Sequence, residues 1–422
     1  MTEPPPEPVR APHQLRRMSG RDPHEPNRVA TPLELLFDLT FVVAFGVAAE
    51  EFAHMLADGH VGTGLAAFVF STQAVCWAWI SFTWFASAYD TDDWVYRLMT
   101  MLQMVGVIIL ALGIPPVYAS IDHGEHVDNR LMVAGYIVMR IALVAQWMRA
   151  AAQDPDHRTA CLKYAIAITT AQLGWIVIMV AQTSVPTTFL LVAVMTVIEL
   201  CLPWLIESRT GGNPHWHAHH IAERYGLLII IALGEGVIGT VASLSAVVTT
   251  QGWSVGAVLV AVAGIGLTFG MWWIYFVVPT ATLLHAQREK AIPYGYGHIV
   301  VFGSIVATGA GMHAAAYYIE GDSTLGSVGT VLSVAIPVAI YIGSVYLLYV
   351  LLVGGRDRFH ALLMVLTAAV LVGAVALAAA GVSMAVCLLV IMLAPVVTVL
   401  GFEMFGHRHA AEALQRKLGT AG

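Results

Sequence analysis

The residues of this chain that could do chemistry are few, and they stand inside apolar stretches. His220, Glu223 and Arg224 open an apolar run that continues to Gly234-Glu235-Gly236. Glu34 and Asp38, four residues apart, open another. Arg140, between Met139 and Ile141 and one turn from Tyr136, lies in a third. Glu199 lies in a fourth, and His298, two residues after Tyr296, in a fifth. A charge at the centre of a bilayer costs ~2.5–3.5 kcal/mol on insertion scales, so each such residue needs a partner or a role in ion or proton movement.

Spacing narrows the choices. Glu34 and Asp38 share a helical face, as do His220 and Arg224, with Glu223 beside them. The helix dipole disfavours an arginine in a first turn, so Arg224 is expected to have a carboxylate or anionic partner. Glu235 is about 18 Å into its run at 1.5 Å per residue, and an unpaired carboxyl at that depth is expected to be neutral. The expected arrangement pairs Arg140 with Glu235 or Asp38, making an intramembrane ion or proton site of Asp38, Arg140 and Glu235. Glu34, His220, Glu223 and Arg224 would line its mouth, with Tyr136, Glu199, Tyr296 and His298 as further members. Plainer roles exist for several: Glu34 as a hydrated interfacial residue, His298 as a histidine capping a carbonyl.

The elements that must position these residues are transmembrane helices. Among 422 residues, 58% are hydrophobic and 11% charged, against roughly 25% charged in soluble domains. Apolar runs of the roughly 20 residues that a span needs fall near 32–56, 65–88, 97–118, 130–151, 160–181, 186–206, 219–248, 253–279, 296–318, 325–352, 360–380 and 383–405. They predict an all-α bundle of about twelve spans. The division expected is a disordered tail at 1–30, a first half at 31–206, a His-rich linker at 207–218, a second half at 219–405 and a short tail at 406–422. Glu34 through Gly46 resembles Glu223 through Gly234, six spans later, which suggests two parallel six-helix repeats. Of the 20 Lys and Arg, all but Arg130, Arg140 and Arg224 fall in the tails or in loops of one parity. That asymmetry places both termini in the cytoplasm. Trp94, Trp147, Trp204, Trp216 and Trp253 are expected to be interfacial anchors.

Several function classes are not encouraged. Residues 1–30 lack the apolar core of a signal peptide, and no basic block points to nucleic acid. Cys76, Cys161, Cys201 and Cys387 are dispersed and suggest neither a disulfide framework nor a zinc site. His215, His217 and His219 lack a second fixed cluster, so no metal is assigned. Gly234 to Gly239 fits GxGxxG, but no strand precedes it. Nothing calls for a cofactor, and no nucleophile–base pair argues for an enzyme.

The stretches Thr31-Pro32-Leu-Glu34-Leu-Leu-Phe37-Asp38-Leu-Thr-Phe41 and His220-Ile-Ala-Glu223-Arg224-Tyr-Gly226-Leu, the latter followed by Leu233-Gly234-Glu235, resemble the bacterial low temperature requirement A (LtrA) family. Tyr296-Gly-His298 and Arg140 fit the same pattern, and the resemblance runs from about residue 28 to 405. The family usually has Phe where this chain has Tyr225. What the resemblance implies is a multi-pass bacterial inner-membrane protein linked by name to growth in the cold; it implies no reaction. Two readings follow. One is a transporter or channel-like protein that moves an ion, proton or small solute past the buried charges. The other is a membrane stress or lipid-interacting protein whose buried ion pairs are structural. The expected partners are the bilayer, the ion or solute and, left open, a second copy of the chain.

Overall fold

Helix propensity and apolar length dictate nearly everything in the computed structural model. It describes residues 14–23, 25, 28–124, 126–210, 216–354 and 358–406. His215 and the ends of both expected tails lie outside the described residues. Among the described residues, extended pairing is limited to a single bridge between His126 and Ser184. Twelve helical segments are long and apolar enough to cross a membrane. They are Pro32–Ala57, Val61–Tyr89, Trp94–His123, Arg130–Gln153, Arg158–Ala181, Val185–Ser208, Ala218–Gln251, Val255–Ala286, Arg288–Glu320, Ser327–Val353, Phe359–Ala379 and Met384–Met404, numbered here as spans one to twelve. They follow the expected runs within a few residues.

Two spans are interrupted. Span three breaks at Gly113, after which Pro115 and Pro116 open a new helix at Ile114. Proline is tolerated there because the N–H groups of a first turn have no intrahelical partner. A Cβ on Gly113 would lie 2.5 Å from the Met132 amide nitrogen, so only glycine permits this approach of span four. Span seven is interrupted at Leu233, and Gly234 begins its second segment, which places Glu235 in a first helical turn.

Span nine is the centre of the bundle: 78% of its most apolar stretch is buried. It packs chiefly on spans one, seven and ten. Small residues make this possible, because without a hydrophobic drive in lipid, helices associate through close backbone approach. A Cβ on Gly309 would lie 2.9 Å from the Glu235 Cβ of span seven, and one on Gly311 would lie 2.3 Å from the Ser333 carbonyl oxygen of span ten.

The order of neighbours is similar in the two halves. Spans one to two, one to three, three to four, four to five and five to six pack together, and so do the spans six positions later in the chain. One difference matters. Span eight packs tightly on span twelve, where Gly266 and Gly270 receive Met392 and Pro395. Span six instead leans on span five and scarcely touches span two, so that only 11% of its apolar stretch is buried.

The segment before span one is held to the bundle from Arg16 onward, where a disordered tail is expected from composition. Met18 is fully buried in the core. The backbone N–H of Arg21 donates to the Ala88 carbonyl at 2.9 Å, and the Arg28 guanidinium donates to the carbonyls of Ala86 and Ser87. These are among the final carbonyls of span two, of which Ala86 also accepts from the Asp90 N–H at 3.1 Å, and a cation suits that end of the helix dipole. Arg149 pairs with Asp93, which also accepts from the Arg16 and Tyr96 backbone N–H groups at 3.2 and 2.9 Å.

Burial alone would raise the Asp93 carboxyl, but the Arg149 pair and the two N–H donors hold it at about 2, below its ordinary 3.8. Its contribution is therefore complete above pH 3.8 and is lost as pH falls through about 2. Asp93→Asn removes the pairing and is expected to loosen the segment, so that trypsin cuts after Arg16 and Arg17 at least several-fold faster than in the unmodified protein. Equal cleavage rates would show that Asp93 does not hold the segment.

Candidate functional site

Three groups of buried polar residues stand along the bundle, each with different company. The first joins spans one and seven, which both begin at the end where Arg21 and Arg28 are bonded and so run parallel. Glu34 and Asp38 occupy successive turns of span one, and His220 and Arg224 occupy successive turns of span seven. Equal spacings on parallel helices place them as two rungs. His220 Nε2 lies 3.1 Å from Glu34 Oε1, and Arg224 Nη2 lies 2.5 Å from Asp38 Oδ1. Arg224 Nη1 also lies 2.7 Å from Glu34 Oε1, so one guanidinium serves both carboxylates.

All four residues are fully excluded from solvent. Glu34 closes the start of span one as a capping box: its carboxylate accepts from the Thr31 N–H at 2.8 Å, and its own N–H donates to Thr31 Oγ1. Span two contributes Trp79, whose Nε1–H donates to Asp38 Oδ1 at 2.7 Å. The Arg224 guanidinium lies 5.6 Å from the Trp79 ring and 5.9 Å from the Phe82 ring, close enough for cation–π attraction. With His220 protonated, two cations face two carboxylates; with it neutral, one carboxylate charge is unbalanced. Glu223 faces elsewhere, accepting from the Ala30 N–H at 3.1 Å.

His298 belongs to an aromatic cluster behind this group. Its Nδ1 lies 2.7 Å from the Tyr294 carbonyl oxygen, which can only accept, so Nδ1 carries the proton. Neutral Nε2 then accepts from the Tyr275 hydroxyl at 2.9 Å. Tyr225 packs edge-on against both Trp79 and His298. His298 thus has the capping role, with both ring nitrogens occupied.

The second group is Glu235, farther along the same seam. It is 4% exposed and forms no ion pair or hydrogen bond among the described residues. Two glycines make room for it: a Cβ on Gly46 of span one would lie 3.0 Å from Glu235 Oε1, and Gly309 of span nine abuts its backbone.

The third group lies between spans two, four, five and six. Arg140 Nη2 pairs with Glu199 Oε1 at 2.7 Å, and Trp175 Nε1–H donates to the same oxygen at 3.1 Å. The Arg140 guanidinium lies 5.2 Å from the Tyr136 ring, whose hydroxyl donates to the Ala74 carbonyl. The Tyr296 hydroxyl donates to the Leu200 carbonyl at 2.8 Å.

Cavities flank this third group on both sides. One, of about 410 Å³, is walled mainly by apolar residues, with Gln73, Thr196 and Glu199 among them, from Val69 to Trp77 of span two, Met132 to Tyr136 of span four and Phe189 to Leu200 of span six. The other, of about 80 Å³, is walled by Trp77 to Trp84, by Arg140 and Trp147, and by Glu199 to Glu207 of the same three spans. In each span the two sets of wall residues follow one another along the axis and meet near Trp77, Arg140 and Glu199. The ion pair therefore stands between a cavity toward the end where Arg21 and Arg28 are bonded and a larger one toward the opposite end.

This geometry corrects the expected pairing. Arg140 meets Glu199, not Asp38 or Glu235, and Asp38 is taken by Arg224. The three residues expected to form one site thus have three separate surroundings. Glu34, expected at the mouth of the site or as a hydrated interfacial residue, is sealed. Trp147 and Trp216, expected at the interface, are buried and face the smaller cavity, whereas Trp94, Trp204 and Trp253 are exposed as anchors should be. Trp79 and Glu207 gave no signal in the sequence beyond their types.

Comparison with known proteins agrees with the resemblance. The family model described as bacterial low temperature requirement A protein (LtrA) matches residues 29–395. The chain is 25% identical over 294 residues to the uncharacterized protein RA0937 of Rhizobium meliloti (strain 1021), an alignment covering 66% of this chain and 67% of that one. No solved structure matches.

Removing one member of a buried ion pair costs ~3–5 kcal/mol because the other charge is left unpaired. Arg224→Ala is expected to lose stability on that scale in unfolding titrations with dodecyl sulfate. Arg224→Lys keeps the charge but not the planar fork that reaches two carboxylates, and is expected to recover less than half of the loss. A lysine variant as stable as the original protein would contradict the bidentate role.

Proposed function

The chain belongs to the bacterial low temperature requirement A family, and we propose that this multi-pass membrane protein is a transporter whose solute passes through its first half. The observation that carries the reading is the axial stacking of two cavities on either side of Arg140 and Glu199. Solute sites between helices near mid-membrane, separated by a contact that can break, suit alternating access. The Arg140–Glu199 pair suits such a contact, since it is the boundary shared by both cavities and its loss would join them. Span six is the mobile wall in this reading, because it is the least buried span and packs mainly on span five.

The rungs between spans one and seven act differently. They are sealed, line neither of these cavities, and hold the first half to the second. That observation favours the structural reading for Glu34, Asp38, His220 and Arg224 while leaving transport to the Arg140 region. Glu235 is suited to a coupling role: a carboxyl buried without a cation partner can exchange a proton or cation instead of anchoring an ion pair. The inner membrane, with both termini in the cytoplasm, is the location consistent with the distribution of Lys and Arg.

Proteoliposomes on a solid-supported membrane test the proposal, with concentration jumps of small organic cations, small organic anions and protons. The expected result is a transient current for at least one class that Glu199→Gln reduces at least tenfold and Glu235→Gln uncouples from the proton gradient. Folded protein that gives no current with any class would reject transport.

A further inference from the structure

The smaller cavity has a chemistry of its own. Six aromatic side chains wall it: Trp77, Trp84, Trp147, Tyr164, Trp216 and Tyr296. They come from four different spans and the loop before span seven, and they meet in three packed pairs. Trp147 stacks on Tyr164 with centroids 4.5 Å apart, Trp77 packs edge-on against Tyr296 at 5.7 Å, and Trp84 packs edge-on against Trp216 at 5.4 Å. Such pairing fixes the rings in place, so they form a rigid aromatic wall.

The charged residues of the wall are Arg140, Glu199 and Glu207. Arg140 is matched by Glu199 at 2.7 Å. Glu207 remains, and it forms no ion pair among the described residues; its Oε1 accepts from the Tyr164 hydroxyl at 3.2 Å. An ionised Glu207 would leave the cavity with one net negative charge inside an aromatic wall. A cation with a weakly hydrated surface gains most from that combination, since ring faces attract cations strongly once water is excluded. An inorganic cation would lack the oxygen ligands it needs to shed its waters, and an anion would meet the unpaired carboxylate.

We propose that the aromatic cavity walled by Trp77, Trp84, Trp147 and Trp216 binds the ammonium head of an organic cation, held by the ring faces and by Glu207. Its volume of about 80 Å³ leaves room for several small groups. The space therefore suits a compact head such as trimethylammonium. The larger apolar cavity beyond Trp77 would receive a hydrocarbon portion. The same head is found on free solutes and on zwitterionic lipids, and either could supply it. As the transported species, the cation rests on the transport reading above; as a bound one, it does not.

The test uses the full-length protein in nanodiscs of phosphatidylglycerol, with choline as probe and intrinsic tryptophan fluorescence as readout. Choline is expected to give a saturable change, and its neutral isostere 3,3-dimethyl-1-butanol is expected to bind at least tenfold more weakly. Glu207→Gln, at the end of span six, is expected to weaken choline at least fivefold without lowering thermal stability. Trp77→Leu provides a second variant and is expected to lose the response. No saturable change in the original protein, equal binding of the isostere, or unchanged affinity in a folded Glu207→Gln would each overturn the site. Nanodiscs containing phosphatidylcholine separate the sources: suppressed choline binding identifies the lipid head group as the occupant, and unaltered binding identifies a free solute. Choline binding without current in the proteoliposomes would keep the site and discard transport, whereas current without choline binding would do the reverse.

Discussion

One guanidinium between two carboxylates sets the register of the whole bundle. Arg224 reaches Glu34 and Asp38 only if spans one and seven run parallel, with their four-residue spacings aligned. A shift by one turn would leave at least one charge unpaired in a sealed interior, at several kcal/mol. The pairing is thus a strong discriminator between packings, whatever its net contribution relative to an apolar interface. Trp79 extends the constraint to span two, and Thr31 ties it to the start of span one. The segment that precedes span one then has a fixed place to go, over the carbonyl end of span two.

Given that register, the two halves solve the same packing problem with different results. Spans eight and twelve close on one another because Gly266 and Gly270 let Met392 and Pro395 approach. The corresponding place in the first half carries Phe70, Gln73, Ala74 and Trp77 on span two, where span six meets Phe70 edge-on through Phe189 and otherwise leaves a cavity. What is close packing in one half is a pair of cavities in the other. Buried polar residues are divided accordingly: the rungs between spans one and seven are closed and paired with one another, whereas Arg140 and Glu199 border open space.

The sequence discloses the spans and their charges but not which charges meet. Apolar run length is a property of one helix, so all twelve spans could be read directly. The mismatch between Arg224 and the helix dipole also pointed correctly to a carboxylate partner. Choosing Asp38 and Glu34 over Glu199 for that partner requires knowing which spans are neighbours, and spacing within a helix carries no such information. Arg140 was assigned to the wrong carboxylate for that reason. Trp147 and Trp216 near span ends look like interfacial anchors because position along a span is legible and direction around it is not. The tail expected at 1–30 looks disordered because its composition is polar; the contacts of Arg21 and Arg28 come from the carbonyl end of span two.

A double-mutant cycle between Asp38→Asn and Arg224→Gln, followed by unfolding in dodecyl sulfate, addresses the central constraint most directly. Such cycles isolate a pair from the rest of its network, with couplings of roughly 0.5–3 kcal/mol for residues in contact. The account predicts that the double variant is more stable than the sum of the single losses implies, by at least ~1 kcal/mol. Strictly additive losses would mean that Asp38 and Arg224 do not depend on one another, and that the register of spans one and seven is set elsewhere.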